Sequence, residues 1–258
     1  EQHADSYRKI RNTYRYLLGN LNDNFKKIDI KKLDLNHLPE LEQYMLHRVY
    51  NLNENFKNYF NSYDFHNLYK ELLNFCTVEL SAFYFDIRKD SLYCDSKNSE
   101  RRKSSIIVLN IILESLIKWF APILSFTTEE IYTLINQDKK SIHLEKFMEF
   151  PQTFKNEKLN KKWEELKKIR DICNVSIEGK RASKEIGSSL EANLTISLNE
   201  KLHKITKNVN FSELCITSNV KIEKNDSSEI SVITTKAEGE KCLVCWKINK
   251  NGCDRHPL

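Results

Sequence analysis

The chain has 258 residues, a formal charge of +5, five glycines and seven cysteines. Its length predicts more than one domain, and the mild positive charge permits a nucleic-acid partner without requiring one. The scarcity of glycine suits a helical protein, and an odd cysteine count argues against a disulfide framework.

Apolar residues recur at steps of three and four from Ala4 to about Asn24, through Tyr7, Ile10, Tyr14, Leu17, Leu18 and Leu21. That period predicts a helix. Arg8, Arg11 and Arg15 form a positive stripe on another face. Such a stripe is read either as a solvated face or as a contact for a phosphate backbone or a neighbouring domain. A polar connector with Asp29, Asp34 and Asn36 leads to Pro39, which suits the first turn of a second helix reaching about Tyr59. Asp64 is a predicted N-cap for a third helix, Phe65 to about Phe85, followed by a loop with Lys89, Asp90 and Tyr93. The fourth helix, from near Ser99 to Phe120, is apolar almost all round in its second half, as a central bundle helix must be. Glu114 and Lys118 interrupt its apolar run, so it reads as core and not as a membrane span. After Pro122, Thr127 and Glu130 predict a capping box for a short helix from Thr128 to Asn136.

Residues 1–150 are therefore expected to form a helix bundle, and the fold class to be mainly α. Residues 151–237 predict a small α/β unit: a helix from Glu157 to Gly179, then alternation of period two. The strand candidates are Ala192 to Leu198, Leu214 with Ile216, and Ile230 to Thr234. Trp119 and Trp163 fall at apolar helical positions and are expected in the core, as are Cys76, Cys173 and Cys215. Thiols in such settings point to a reducing compartment. No signal peptide is recognised at the start of the sequence, and a cytoplasmic location is expected.

Residues 238–258 carry the strongest chemical signal. Cys242 and Cys245 form one C-x2-C knuckle; after seven residues, Cys253 and His256 form a C-x2-H knuckle. Four soft ligands at this spacing suit one tetrahedral zinc with a closed shell, which is a structural and not a catalytic arrangement. The alternative is free or disulfide-bonded cysteine. Bound zinc would contribute roughly 10 kcal/mol or more of folding energy to a segment too short for its own core. Lys241, Lys247, Lys250 and Arg255 surround the knuckles with positive charge.

Several stretches together resemble the C-terminal part of bacterial isoleucyl-tRNA synthetases, which are class I enzymes. Arg8-Lys-Ile-Arg11-Asn12-Thr13, Tyr63-Asp64-Phe65-His66, Glu79-Leu80-Ser81-Ala82-Phe83-Tyr84 and Ala121-Pro122-Ile123-Leu124-Ser125-Phe126-Thr127 are similar to the family's helical anticodon-binding domain. Ile186-Gly187-Ser188-Ser189-Leu190-Glu191-Ala192 and Glu240-Lys241-Cys242 through Trp246 are similar to segments typical of the isoleucyl branch. Two positions depart from the family pattern: Val244 stands where arginine is usual, and His256 where cysteine is common.

The resemblance implies recognition of the anticodon stem-loop of isoleucine tRNA, with Trp246 stacking on a base and Lys241, Lys247 and Arg255 at phosphate or the wobble base. Arg8, Arg11 and Arg15 are candidates for further tRNA contact or for a domain junction. The signatures His-Ile-Gly-His and Lys-Met-Ser-Lys-Ser do not occur in the sequence. ATP, Mg2+, activation and editing are thus expected to belong to an N-terminal catalytic body outside these residues, and no catalytic residue is expected within them. A monomer with no membrane partner is expected. The competing readings are a valyl or methionyl synthetase region, a stand-alone zinc-dependent RNA-binding adaptor, and a helical protein-interaction scaffold.

Overall fold

The computed structural model describes residues 2–22, 25–136, 140–226 and 229–256. The chain divides into two compact units, Glu1–Asn156 and Glu157–Leu258.

The first unit is a helix bundle, in keeping with the expected class. Helix α1 (Gln2–Leu21) buries Ile10, Tyr14, Leu17 and Leu21 along one stripe, as its periodicity predicts. The expected helix end at Asn24 lies outside the described residues. Helix α2 (Glu40–Asn61) follows Pro39. Helix α3 (Phe65–Asn74) is capped by the Asp64 carboxylate, which accepts the Asn67 N–H at 3.2 Å. It runs without a break into a π-helical stretch, Phe75–Phe85, and then into α4 (Asp86–Cys94).

The expected loop at Lys89, Asp90 and Tyr93 is therefore helix. Its polar residues are taken up by one local and one distant ion pair. Lys89 bonds Asp86 one turn back at 2.9 Å, and Arg88 turns inward to chelate the Glu42 carboxylate, where both side chains are buried. Within the π-helix, Ser81 Oγ donates to the carbonyl of Cys76, five residues earlier. Such long π stretches are rare and displace the side-chain faces that a 3.6-residue period predicts.

Helix α5 (Glu100–Phe120), capped by Ser99, is the central element, with thirteen buried residues between Ser104 and Phe120. Trp119 is 1% exposed and packs edge-on against Phe56 and Phe75, with Nε1–H donating to Asn53 Oδ1 at 3.1 Å. A buried indole of this size contributes on the order of 5 kcal/mol of transfer free energy. Helix α6 (Ser125–Ile135) starts two residues before the expected cap. The Thr127–Glu130 capping box does not form, because Thr127 Oγ1 instead bonds the Tyr7 hydroxyl at 2.9 Å and helical geometry already includes it.

The second unit opens with α7 (Glu157–Ala182), which buries Trp163, Leu166, Ile169 and Cys173. A three-stranded sheet of order β2-β1-β3 follows, with β1 (Ala192–Leu198) parallel to β2 (Asn219–Lys224) and antiparallel to β3 (Ser231–Lys236). The Ala192, Leu194, Ile196 and Leu198 side chains form the buried face of β1. The parallel β1–β2 pairing needs a crossover, which is supplied by the short helices α8 (Glu200–Thr206) and α9 (Phe211–Leu214).

Leu214 and Ile216 are thus not a strand. Leu214 ends α9, and Ile216 takes a left-handed φ of 56° as the chain reverses toward β2. The apolar alternation there reflects helix burial followed by a turn. Among the described residues, no helix is long and apolar enough to cross a membrane.

Candidate metal centre and nucleic-acid interface

The terminal knuckles are carried by a two-stranded ribbon, β4 (Glu240–Lys241) paired antiparallel with β5 (Ile248–Asn249). The first turn is closed by Trp246 N–H donating to Cys242 C=O at 3.0 Å and Cys242 N–H donating to Lys247 C=O at 2.9 Å. Gly239 has φ of 126°, and a Cβ there would lie 2.3 Å from the Asn249 carbonyl oxygen, so only glycine fits against the ribbon.

This folding brings the four predicted ligands together. Cys242 Sγ, Cys245 Sγ, Cys253 Sγ and a ring nitrogen of His256 all lie within 4.8 Å of one another. Within the cluster, Cys245 Sγ lies 3.7 Å from Cys253 Sγ, and His256 Nδ1 lies 3.5 Å from Cys242 Sγ and 3.4 Å from Cys253 Sγ. A zinc tetrahedron with ordinary bond lengths has edges of about 3.8 Å between sulfurs and about 3.5 Å between sulfur and nitrogen. The donor set fits such an ion by chemistry and by size. A sulfur separation of 3.7 Å is far too long for a disulfide.

The electrostatics agree with a cation-binding cluster. Burial pushes the Cys242 thiol up, but the backbone N–H groups of Cys245 and Val244 outweigh it and bring the group down to about 6. Cys245 is pushed up to about 12, first by burial and then by the neighbouring sulfurs of Cys242 and Cys253. Three sulfurs this close cannot all carry negative charge without a compensating positive ion.

Around the knuckle, Trp246 is 59% exposed and holds a left-handed φ of 62°. The Lys241 ammonium lies over its ring, and Leu243 and Val244 are also exposed. Lys247 is half-buried, with Nζ donating to Ser212 Oγ at 3.4 Å, and Arg255 is exposed. Lys250 is paired with Glu238 at 2.8 Å. Arg8, Arg11 and Arg15 belong to the first unit, all three exposed on α1, with Arg8 3.8 Å from Asp5. Trp119 and Trp163 are buried and take no part in this surface.

Sequence reasoning missed the residue that anchors the ribbon. Ser218, 4% exposed, accepts the Ile248 N–H at 2.7 Å and donates its own hydroxyl proton to the Leu190 carbonyl. Nothing in the spacing around Ser218 marks it; its role comes from the crossover that places β2 beside the ribbon.

Compared with known proteins, residues 42–196 match the family described as the anticodon-binding domain of tRNA ligase. The chain is 75% identical over 256 residues to an isoleucine–tRNA ligase of Pelagibacter ubique, a match covering 99% of the chain and 28% of that protein. It is 38% identical over 260 residues to an isoleucine–tRNA ligase of Agrobacterium fabrum, covering 96% of the chain and 26% of that protein. A relative in Zymomonas mobilis with the same description is 38% identical over 263 residues, covering 98% and 27%. The chain thus spans about a quarter of the length of the relatives it matches.

Proposed function

The chain belongs to the family of anticodon-binding domains of tRNA ligases, and from that footing we propose that it is the tRNA-recognition region of an isoleucine–tRNA ligase. The observation that carries the reading is similarity to such ligases along 99% of the chain, knuckle included. ATP- and Mg2+-dependent activation of isoleucine, its transfer to tRNA, and editing are assigned to a catalytic body beyond these residues. The working protein is expected to be a cytoplasmic monomer.

On this reading a zinc ion held by Cys242, Cys245, Cys253 and His256 cross-links the two knuckle turns and supplies no chemistry to the reaction. The chain's own residues do the recognition. RNA loops are read by splaying bases onto aromatic planes and bonding their exposed edges. Trp246, exposed beside a ligand and held by the ribbon, offers such a plane. Lys241 and Arg255 supply positive charge for phosphate, and Lys247 reaches it by exchanging its bond to Ser212. Val244 cannot make the polar contact that arginine makes, so base readout rests more heavily on Trp246. Arg8, Arg11 and Arg15 form a second basic surface, suited to the tRNA backbone or to the catalytic body.

Titration of the 258-residue chain with isoleucine and valine tRNAs tests the proposal. Tighter binding of the isoleucine tRNA is the expected result. Preference for valine or methionine tRNA would move the chain to a sister enzyme, and failure to bind any tRNA would remove the reading.

A further inference from the structure

The first unit holds a second surface suited to an anion. The connector after α1 and the first half of α5 enclose a groove of about 310 Å³. Lys26, Lys97, Arg102 and Lys103 line it, with no carboxylate among its described lining residues. Its floor is apolar, made by the half-buried Ile28, Ile106 and Ile107. The connector is fixed there because Lys26 N–H donates to Asn110 Oδ1 at 2.8 Å, while Asn110 Nδ2 donates to the Ile106 carbonyl.

Among the described residues, three of the four cations of this groove have no carboxylate partner. Lys103 is paired with Glu100 at 2.9 Å, and Arg102 Nη1 donates to a neutral acceptor, the Asp95 carbonyl, at 2.8 Å. Lys26 and Lys97 are exposed and make no side-chain ion pair among the described residues. The larger neighbouring groove, about 770 Å³, sets four lysines against four carboxylates and has no such bias.

We infer that the groove between the 25–31 connector and α5 seats the sugar–phosphate backbone of RNA. Phosphates sit at Lys26, Lys97 and Arg102, and a ribose lies over the isoleucine floor. This inference rests on the tRNA-binding reading and adds a contact in the first unit that carries affinity but no sequence information.

The test is the salt dependence of tRNA binding by the 258-residue chain. In Lys26→Ala/Lys97→Ala, two fewer phosphates are neutralised. The slope of log affinity against log salt should become shallower by about 1.4 to 1.8, with affinity at about 0.1 M salt falling about tenfold or more. The loss should be equal for isoleucine tRNA and for the same tRNA with an altered anticodon, since phosphate contacts are indifferent to sequence. Lys207→Ala/Lys236→Ala, which removes the same charge from exposed positions of the second unit, is the control. Circular dichroism should show both variants folded. If wild type binds the tRNA and the groove variant keeps its affinity and slope, the inference is overturned while the recognition reading stands, and the groove is left to an acidic protein. An equal loss in the control also overturns it, and a wild-type chain that binds no tRNA overturns both.

Discussion

The Lys241 ammonium lies 5.7 Å from the centroid of the Trp246 indole, on a ring that keeps 59% of its surface exposed. Trp246 occupies a left-handed backbone position, φ 62°, where glycine costs nothing and a bulky side chain costs about 1 to 2 kcal/mol. The strain is offset by only partial burial, so the ring is expected to serve a partner. Trp246→Gly should relax the turn and keep full metal content while weakening isoleucine tRNA binding by about 1 to 3 kcal/mol. The loss should shrink on a tRNA with an altered anticodon loop. Unchanged tRNA affinity with intact metal would end the stacking role, and loss of metal would show the indole to be a lid on the knuckle.

One zinc per chain is expected by metal analysis of protein purified without chelator. Cys253→Ala should abolish stoichiometric zinc and loosen the ribbon, without unfolding the bundle, which is a separate unit. With thiolates and a neutral imidazole as the expected ligands, zinc uptake should release protons. Competition against a chromophoric chelator should therefore show affinity rising with pH, and zinc should leave first on acidification. A pH-independent affinity would show that some of these four side chains are not ligands.

The cluster of three cysteines and one histidine is legible in the sequence because C-x2-C and C-x2-H confine two donors each to a single turn, so local spacing fixes half of the geometry. The bundle helices are legible for the same local reason, as amphipathic stripes in α1 and α2 and as a run apolar on all sides in α5. Errors arose where distant groups decide local structure. Arg88 and Lys89 read as loop until Glu42, 46 residues from Arg88, draws the guanidinium inward. Leu214 and Ile216 read as strand because a helix end followed by a turn mimics alternation. Ser218 carried no signal because its bonds go to Leu190 and Ile248, which are neighbours only through the sheet.

The Glu42–Arg88 pair lies in the bundle core, where Tyr84 OH also donates to the carboxylate at 3.1 Å. Arg88→Met should destabilise the first unit by about 3 to 5 kcal/mol, because it strands a buried carboxylate. Chemical denaturation should show a far smaller loss for Glu42→Gln/Arg88→Met, where no unpaired charge remains. Equal losses in the two variants would place the cost in packing and not in the charge.

Ser218→Ala should uncouple the ribbon from the sheet. It removes the acceptor of the Ile248 N–H and the donor to Leu190. Leaving such groups unpaired in a site only 4% exposed should cost about 1 to 3 kcal/mol. Hydrogen exchange at the Ile248 amide should accelerate while exchange in α5 stays unchanged. Acceleration in both would point to general destabilisation, and unchanged exchange at Ile248 would remove Ser218 from its anchoring role.

Tyr63 presents the same backbone conflict as Trp246 in the first unit. It sits just beyond α2 at φ 57°, within a helix-ending turn closed by Asp64 N–H donating to the Tyr59 carbonyl at 2.9 Å. Glycine is the usual residue at this position because it has no Cβ to crowd the preceding backbone. The Tyr63 ring is 80% exposed and approaches Phe65 edge-on at 6.3 Å. Little apolar area is lost by deleting it, whereas the left-handed strain is removed outright. Tyr63→Gly should therefore raise the stability of the bundle by about 0.5 to 1 kcal/mol in urea unfolding, against the usual trend of mutation. Destabilisation would mean that the edge contact with Phe65 outweighs the strain, and Tyr63→Asn, which tolerates the same backbone but also lacks the ring, would then be destabilised by a similar amount.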